Sequence, residues 1–520
     1  MLIAMKKQGP LILVVWDGFG LSTRDHGDAT SRARMPTFHA LQKTSLVTTL
    51  RADGRWVGLP NGQPGNSEAG HACLGAGRIV ETDLLRIDHA IKDGSFFENP
   101  ALLRAVAHTI RHRSTLHLIG LLTNHRSGHA SPAHVKSLLK FLSGLRVPRI
   151  ALHLFMDGRD TPPFHALTLL RDLESSLPKQ AVVASMIGRF YAMDRNRFWD
   201  RTSKAYHLIV NGEGVVATDP ERGVALSYAR GESDEFLLPT VICRGRTCVA
   251  PVRDQDALIF WNLRSDRARQ MLKPFVMSDF ETREPGAFRR HTVRKNLFVV
   301  SLAEFGSTFT GTIPAFPHHS VANALPEALR YYRQLYASES EKFSQVTYFF
   351  NGGFDRAMFG EDRLRVPSRQ VARYDYAPRM SADELTKRVL GALDDSYDFV
   401  LVNYANADMV GHTGNQEAAV IACETLDENL GRLLKKVRQK HGTLMLTADH
   451  GNVEEMLLSN GGPDTEHNAN PVPLIVAGEA MHDRRLRPGS LQDVAPTILA
   501  IMGVEKPKEM KGRSLLYAAS

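Results

Sequence analysis

The sequence predicts an α/β protein built as two units, each around its own largely parallel sheet. At 520 residues the chain is too long for one ordinary hydrophobic core. Short, continuously apolar, β-prone runs alternate with longer amphipathic stretches along most of its length. The alternation also restarts, once from about residue 81 and again after the pattern-free stretch Thr312-Ile-Pro-Ala-Phe-Pro-His-His319, which reads as a linker.

Taken in order, Leu11–Trp16 is a run of the kind buried on both faces of a parallel sheet, and it stops at Asp17-Gly18. The second series reads as a helix over Asn99–Arg111, a strand at Leu116–Leu122, a helix over Ala133–Leu145 and a strand at Ile150–Phe155. A helix from Ala166, a strand at Val182–Met186, an amphipathic helix over Arg197–Val210, a strand at Ala257–Trp261 and a helix from Asp266 follow. After the linker come a helix over Ala322–Leu335, a strand at Val346–Phe350, a helix over Ala382–Leu393 and a strand at Phe399–Asn403. The series closes with a helix over Gln416–Gln439, strands at Thr443–Thr447 and Val472–Val476, and a helix over Leu491–Met502.

Composition narrows the function. Hydrophobic residues at 43% and charged residues at 23% are ordinary globular values. The net charge of +8 is modest for this length, and no run of like charges forms a nucleic-acid arm, so no nucleic-acid partner is expected. The run Leu11–Trp16 is too short for a signal segment or membrane span, and no later run approaches membrane length, so no membrane association is expected. Four cysteines (Cys73, Cys243, Cys248, Cys423) make no disulfide framework and fit a reducing cytoplasm.

Chemistry concentrates after the strands. In Leu59-Pro-Asn-Gly-Gln-Pro-Gly-Asn-Ser-Glu-Ala-Gly-His71 the Pro and Gly residues forbid a regular element before Asn66, so Ser67 falls where a loop meets a helix start. A serine there is either an N-cap or a nucleophile whose developing charge the helix-start amides stabilise. Three clusters offer metal ligands: Asp408 and His412, four apart and able to meet one ion across a helical turn; Asp449 and His450; and His467. Asp17 adds a further carboxylate. These oxygen and nitrogen donors, with no thiolate, suit two divalent ions such as Mn²⁺, Zn²⁺ or Mg²⁺, the usual device for activating a nucleophile and neutralising a phosphoryl group. In the middle series Arg159-Asp160, Arg189, Arg195, Arg264 and Arg267 follow strands, as a clamp for carboxylate and phosphate would.

On Gly65-Asn-Ser-Glu-Ala-Gly-His71, Asp157-Gly-Arg-Asp-Thr-Pro-Pro163, Gly188-Arg-Phe-Tyr-Ala-Met-Asp-Arg195, Asn403-Tyr-Ala-Asn-Ala-Asp-Met-Val-Gly-His412 and Thr447-Ala-Asp-His-Gly-Asn452, the chain resembles the cofactor-independent (2,3-bisphosphoglycerate-independent) phosphoglycerate mutases of the alkaline phosphatase superfamily. The likeness runs from about Leu11 to about Leu516.

The resemblance implies an alkaline phosphatase-like three-layer α/β domain, residues 1–80 with 316–520, and an α/β phosphoglycerate-binding domain, residues 81–315, inserted between its segments. It implies an isomerase of glycolysis and gluconeogenesis, cytoplasmic and monomeric, that interconverts 3-phosphoglycerate and 2-phosphoglycerate through a phosphoserine on Ser67. Two divalent ions would serve it, Mn²⁺ foremost and Zn²⁺, Mg²⁺ or Co²⁺ in its place. Asp408, His412 and His467 would hold one ion, and Asp17, Ser67, Asp449 and His450 the other. Lys342 would neutralise the phosphoryl group, Asp160 would help move protons, and His129, Arg159, Asp160, Arg189, Arg195, Arg264 and Arg267 would hold the substrate. The loop Thr123-Asn-His-Arg-Ser-Gly-His129 is one residue longer than the family form, which leaves both His125 and His129 as the substrate histidine. Trp261-Asn-Leu-Arg264-Ser-Asp266 likewise departs from the family's Phe-Arg-Pro-Asp form, although Arg264 and Arg267 keep their spacing.

Overall fold

The structure is a computed structural model that describes residues 9–22, 27–124, 127–245, 247–306, 311–317, 320–354, 356–357, 359–481 and 483–518; the side chains of residues 244, 247, 266 and 480 are not described. The chain divides into two compact units, Met1–Thr82 with His319–Ser520, and Asp83–His318 between them in sequence. Each unit has its own apolar core, one built on residues from Leu11–Leu74 and Leu325–Leu515, the other on residues from Ile87–Ala315.

Among the described residues the first unit holds an eight-stranded sheet in the order Glu361–Val366, Gln334–Glu339, Phe399–Tyr404, Leu11–Trp16, Thr443–Thr447, Val472–Gly478, Leu46–Arg51, Gly489–Ser490. The first five of these strands run parallel, and Val472–Gly478 is antiparallel to both neighbours. Every residue of Leu11–Trp16 is buried, because helices cover both faces. One layer groups Ala29–Arg32, Pro36–Thr44, Ala382–Ala392 and Asn406–Gly411 about the 24-residue helix Gln416–Gln439; the other groups Leu325–Ala328 and Val494–Met502 about Ser67–Ala76. Sheet and two helical layers make the three-layer α/β fold that the sequence implied.

The second unit holds a nine-stranded sheet, in the order Thr312–Phe316, Phe298–Ala303, Ala257–Phe260, Leu116–Leu122, Ile150–Met156, Ala181–Gly188, Thr240–Arg244, Val215–Ala217, with Thr247–Cys248 paired to Thr240–Arg244. The first six strands are parallel.

Four readings of the sequence need correction. The stretch taken as a linker contains the strand Thr312–Phe316; it lies at the sheet edge, where Pro314 can sit without breaking a ladder, while His318 and His319 fall outside the described residues. The helix expected over Ala322–Leu335 is only Leu325–Ala328, and Gln334–Glu339 is a fully buried strand. Buried Gln334 stops that helix by donating its Nε2 to the carbonyls of Pro326 and Leu329, both at 3.0 Å. Val346–Phe350 is no strand but lies in a π-helical turn, Gln345–Phe349 and its cap Phe350. Its β-prone composition reflects packing under the Ser67 helix, where a Cβ on Gly75 would stand 1.9 Å from the Phe350 carbonyl oxygen. Finally, Cys243 and Cys248 lie opposite each other across a hairpin, Cα atoms 3.9 Å apart, and are joined by a disulfide; Cys73 and Cys423 are free and buried. Among the described residues no helix is long and apolar enough to cross a membrane.

Candidate metal centre and anion-binding loops

Five loops converge at the carboxyl end of the parallel strands of the first sheet. Four follow Gln334–Glu339, Phe399–Tyr404, Leu11–Trp16 and Thr443–Thr447; the fifth, carrying His467, leads into antiparallel Val472–Gly478 and so reaches the same end. After Trp16 the chain turns at Gly18 (φ +76°), where a Cβ would stand 2.7 Å from the Asp408 Cα, so only glycine lets the Asp17 loop press against the Asp408 helix. The Asp408 N–H then donates to the Asp17 carbonyl at 2.9 Å.

Ser67 is not the N-cap of its helix. Asn66 takes that role, its Oδ1 accepting from the Ala69 N–H at 2.9 Å. The Ser67 hydroxyl is thereby left for the pocket: it accepts from Lys342 Nζ at 2.7 Å, donates to Asp17 Oδ1 at 3.0 Å and lies 3.1 Å from His450 Nε2. Lys342 Nζ also bridges Asp17 Oδ1 and Asp408 Oδ2, each at 2.5 Å.

The donor atoms fit divalent cations. His412 Nδ1 donates to the Thr465 carbonyl at 2.7 Å and His467 Nδ1 to that of Gly65 at 2.8 Å, which sets both rings as the tautomer with a lone pair on Nε2. Those Nε2 atoms lie 3.1 Å apart and 3.3 and 3.0 Å from Asp408 Oδ1, so with both rings neutral three acceptors converge on one point. Asp449 Oδ2 is buried and accepts no hydrogen bond. Atoms so placed repel one another unless a proton or a metal cation lies among them.

The clustering differs in one respect from the ligand sets that the sequence suggested. Ligand atoms of Asp408, His450 and His467 lie within 4.8 Å of one another, and so do those of Asp17, His71 and Asp449. His450 Nε2 sits between the groups, 3.5 Å from Asp17 Oδ1, 3.9 Å from Asp408 Oδ1 and 3.6 Å from Asp449 Oδ2. His71 has both ring nitrogens engaged: Nδ1 with the Ser67 carbonyl at 2.9 Å, and Nε2 accepting from Asn403 Nδ2 at 3.0 Å. It therefore orients the site, since Asn403 Nδ2 also donates to Asp17 Oδ2 at 2.8 Å. Sequence reasoning did not single out His71, Asn403 or Asn452 as site residues. The spacing from Ser67 to His71, one helical turn, was the available signal for the first.

Charge in the pocket is tightly coupled. Burial, the largest single influence, disfavours ionised Asp17 and Asp408, yet Lys342 together with His450 at Asp17, and with His412 and His467 at Asp408, holds both carboxyls below their usual range. Burial likewise opposes charge on Lys342, and Asp17, Asp408 and Asp449 lift its pKa regardless. Burial also works against a charged His450, but Asp449, Asp17 and Asp408 raise it to about 9. At His412 burial opposes the charge, but Asp408 and the Thr465 carbonyl together raise its pKa, whereas burial and the neighbouring His450 keep His467 below its ordinary value.

In the second unit the segments that follow four adjacent parallel strands carry the remaining predicted residues: Arg264 and, in the helix Ser265–Val276, Arg267 after Ala257–Phe260; His129 after Leu116–Leu122; Arg159 and Asp160 after Ile150–Met156; and Arg189, in the short helix Arg189–Ala192, with Arg195 after Ala181–Gly188. Arg189 Nη1 bridges buried Asp157 at 2.6 Å and Asp160 at 3.0 Å. Ser127 Oγ donates to Asp160 Oδ2 at 2.6 Å and accepts from the His129 N–H at 3.1 Å, linking the His129 and Asp160 loops. Burial raises the Asp160 pKa, but Arg189, Ser127 and His129 bring it below the usual value. The Leu263 N–H donates to the His129 carbonyl at 2.8 Å, which sets Arg264 beside that loop. Arg267 Nη1 reaches the Met193 carbonyl at 3.4 Å, and Arg159, Arg195 and Arg264 are exposed. His125 lies outside the described residues.

Comparison with known proteins gives this arrangement its context. The model of the metalloenzyme superfamily matches residues 9–506. A 2,3-bisphosphoglycerate-independent phosphoglycerate mutase of Desulforudis audaxviator is 46% identical over 98% of this chain and 100% of that protein. One from Moorella thermoacetica is 44% identical over 99% of each. The crystal structure of Leishmania mexicana phosphoglycerate mutase, determined at low cobalt concentration, aligns with a TM-score of 0.79 at 27% identity over 98% of both chains. The chain belongs to the metalloenzyme superfamily and, within it, to the 2,3-bisphosphoglycerate-independent phosphoglycerate mutases.

Proposed function

We propose that the protein interconverts 3-phosphoglycerate and 2-phosphoglycerate without added 2,3-bisphosphoglycerate, and that Ser67 carries the phosphoryl group between the two half-reactions. The observation that carries this reading is the Ser67 hydroxyl itself, which accepts from an ammonium while facing an ionised carboxylate and an imidazole. The Lys342 charge favours the alkoxide over the neutral hydroxyl. The positive end of the Ser67–Ala76 helix supports the charge that develops on the phosphoryl oxygens.

Two divalent cations, Mn²⁺ foremost, would be held by Asp408, His412 and His467 and by Asp17, Ser67, Asp449 and His450, and would supply charge neutralisation and a lowered nucleophile pKa. The oxygen and imidazole donors and the lack of thiolate favour Mn²⁺, Zn²⁺, Mg²⁺ or Co²⁺ over soft ions. In the inserted unit Arg159, Arg189, Arg195, Arg264, Arg267 and His129 would bind the carboxylate and phosphoryl oxygens of the glycerate. Asp160, kept ionised by Arg189, would accept and return the proton of the substrate hydroxyl.

The test follows 3-phosphoglycerate in a coupled assay without 2,3-bisphosphoglycerate, with and without EDTA. It is paired with acid-quench trapping of label from [³²P]3-phosphoglycerate. EDTA-sensitive formation of 2-phosphoglycerate and label on Ser67 are expected. Inorganic phosphate as the main product would replace the mutase reading by a phosphatase, and full activity of Ser67→Ala would remove the nucleophile.

A further inference from the structure

Glu454 lies outside the proposed ligand set, yet it is completely buried. Its Oε2 accepts from the Gly20 N–H and from the Asn452 N–H, both at 2.9 Å, and its Oε1 accepts from Asn470 Nδ2 at 3.2 Å. These donors belong to three different loops: the one that starts at Asp17, the one that holds Asp449 and His450, and the one that holds His467. Asn452 carries the connection one step further, its Nδ2 donating to Asp408 Oδ1 at 3.2 Å.

The surrounding backbone is shaped to this carboxylate. A Cβ on Gly20 or on Gly451 would stand 2.2 Å from Glu454 Oε1, so glycine at both positions lets the loops close on it. Burying a carboxylate is costly unless donors converge on it, and all three donors named here are neutral amides. A mere core position would be filled more stably by an apolar side chain.

On the reading of the site given above, we infer that Glu454 is the positioning residue of the metal centre, tying the three ligand loops into one body so that their donor atoms converge before a cation arrives. It belongs to neither the proposed cation ligands nor the proposed substrate residues. Without it the loops keep their strands but lose their mutual register, and each cation must order them at the expense of its own affinity.

The experiment measures Mn²⁺ binding to metal-free wild type, Glu454→Ala and Glu454→Gln by calorimetry, with near-ultraviolet circular dichroism in EDTA as the check on folding. The Mn²⁺ dissociation constant should rise about 10–100-fold in Glu454→Ala. It should rise less in Glu454→Gln, whose amide keeps one acceptor for Gly20 and Asn452. Excess Mn²⁺ should restore kcat in both variants while KM for 3-phosphoglycerate stays at the wild-type value. Unchanged Mn²⁺ affinity in a folded variant would overturn the inference; if Glu454→Ala does not fold, Glu454→Gln decides by the same measurement. Failure of the wild type to bind any of Mn²⁺, Zn²⁺, Mg²⁺ and Co²⁺ would overturn the functional reading on which the inference rests.

Discussion

The Nε2 atoms of His412 and His467 face each other at 3.1 Å, each ring fixed by an Nδ1–H donated to a backbone carbonyl. With both rings neutral, two lone pairs at that distance are a binding device for a cation. His467→Ala should therefore lower activity at least about 100-fold at limiting Mn²⁺, in line with losing a ligand from a structured site. The residue lies on a loop, so the unfolding temperature in EDTA should hold or rise. Wild-type activity and Mn²⁺ affinity in this variant would take His467 out of the site.

His450 sets the pH dependence of the metal-free protein. Burial opposes its charge, but Asp449, Asp17 and Asp408 lift its pKa from 6.5 to about 9. A base whose pKa rises on folding contributes stability that is fully present below pH 6.5 and is lost as pH rises to about 9. The unfolding temperature in EDTA should fall across that window, and with saturating Mn²⁺ the fall should vanish because the cation replaces the proton. Mn²⁺ binding at pH 7.5 should accordingly release protons, read from calorimetry in buffers of different ionisation heat. No proton release, or none lost in His450→Asn, would contradict this.

Lys342 couples catalysis to stability in opposite senses. Removing its ammonium from Ser67, Asp17 and Asp408 should cost kcat about 10²–10³-fold, the usual loss for one preorganised donor. In EDTA, Lys342→Ala should destabilise by roughly 3–5 kcal/mol, because buried carboxylates lose their partner. Mn²⁺ should recover most of that stability but not kcat. Equal recovery of both would mean that Lys342 serves the fold alone.

Arg189 and Arg195 should separate by the same logic. Arg189 is buried on Asp157 and Asp160, so Arg189→Ala should cost roughly 3–5 kcal/mol of stability as well as activity. Arg195 is exposed, so Arg195→Ala should stay within about 0.5 kcal/mol of wild type while raising KM for 3-phosphoglycerate and the share of inorganic phosphate released. Denaturant titration and product analysis of the two variants test this; equal destabilisation would undo the distinction.

Much of the site was legible in the chain because its residues follow strands whose burial writes itself locally. Leu11–Trp16, Phe399–Tyr404 and Thr443–Thr447 are β-prone, mostly apolar runs, and Asp17, Asp408 and Asp449 lie within a few residues of their ends. The helix Gln416–Gln439 was equally plain, since a sustained 3.6-residue period over 24 residues admits no other reading. Tertiary structure decided what local pattern does not encode. Gln334–Glu339 is a strand because two parallel neighbours and a buried amide claim it, and Thr312–Phe316 is one because an edge tolerates proline. Ser67 is free of capping duty because Asn66 assumes it, and His71 reaches Asp17 only through Asn403, which lies 332 positions away in sequence. Propensity and periodicity act between neighbours along the chain, whereas the tautomer of an imidazole or the acceptors of a buried amide are set by atoms that only folding brings within about 3 Å.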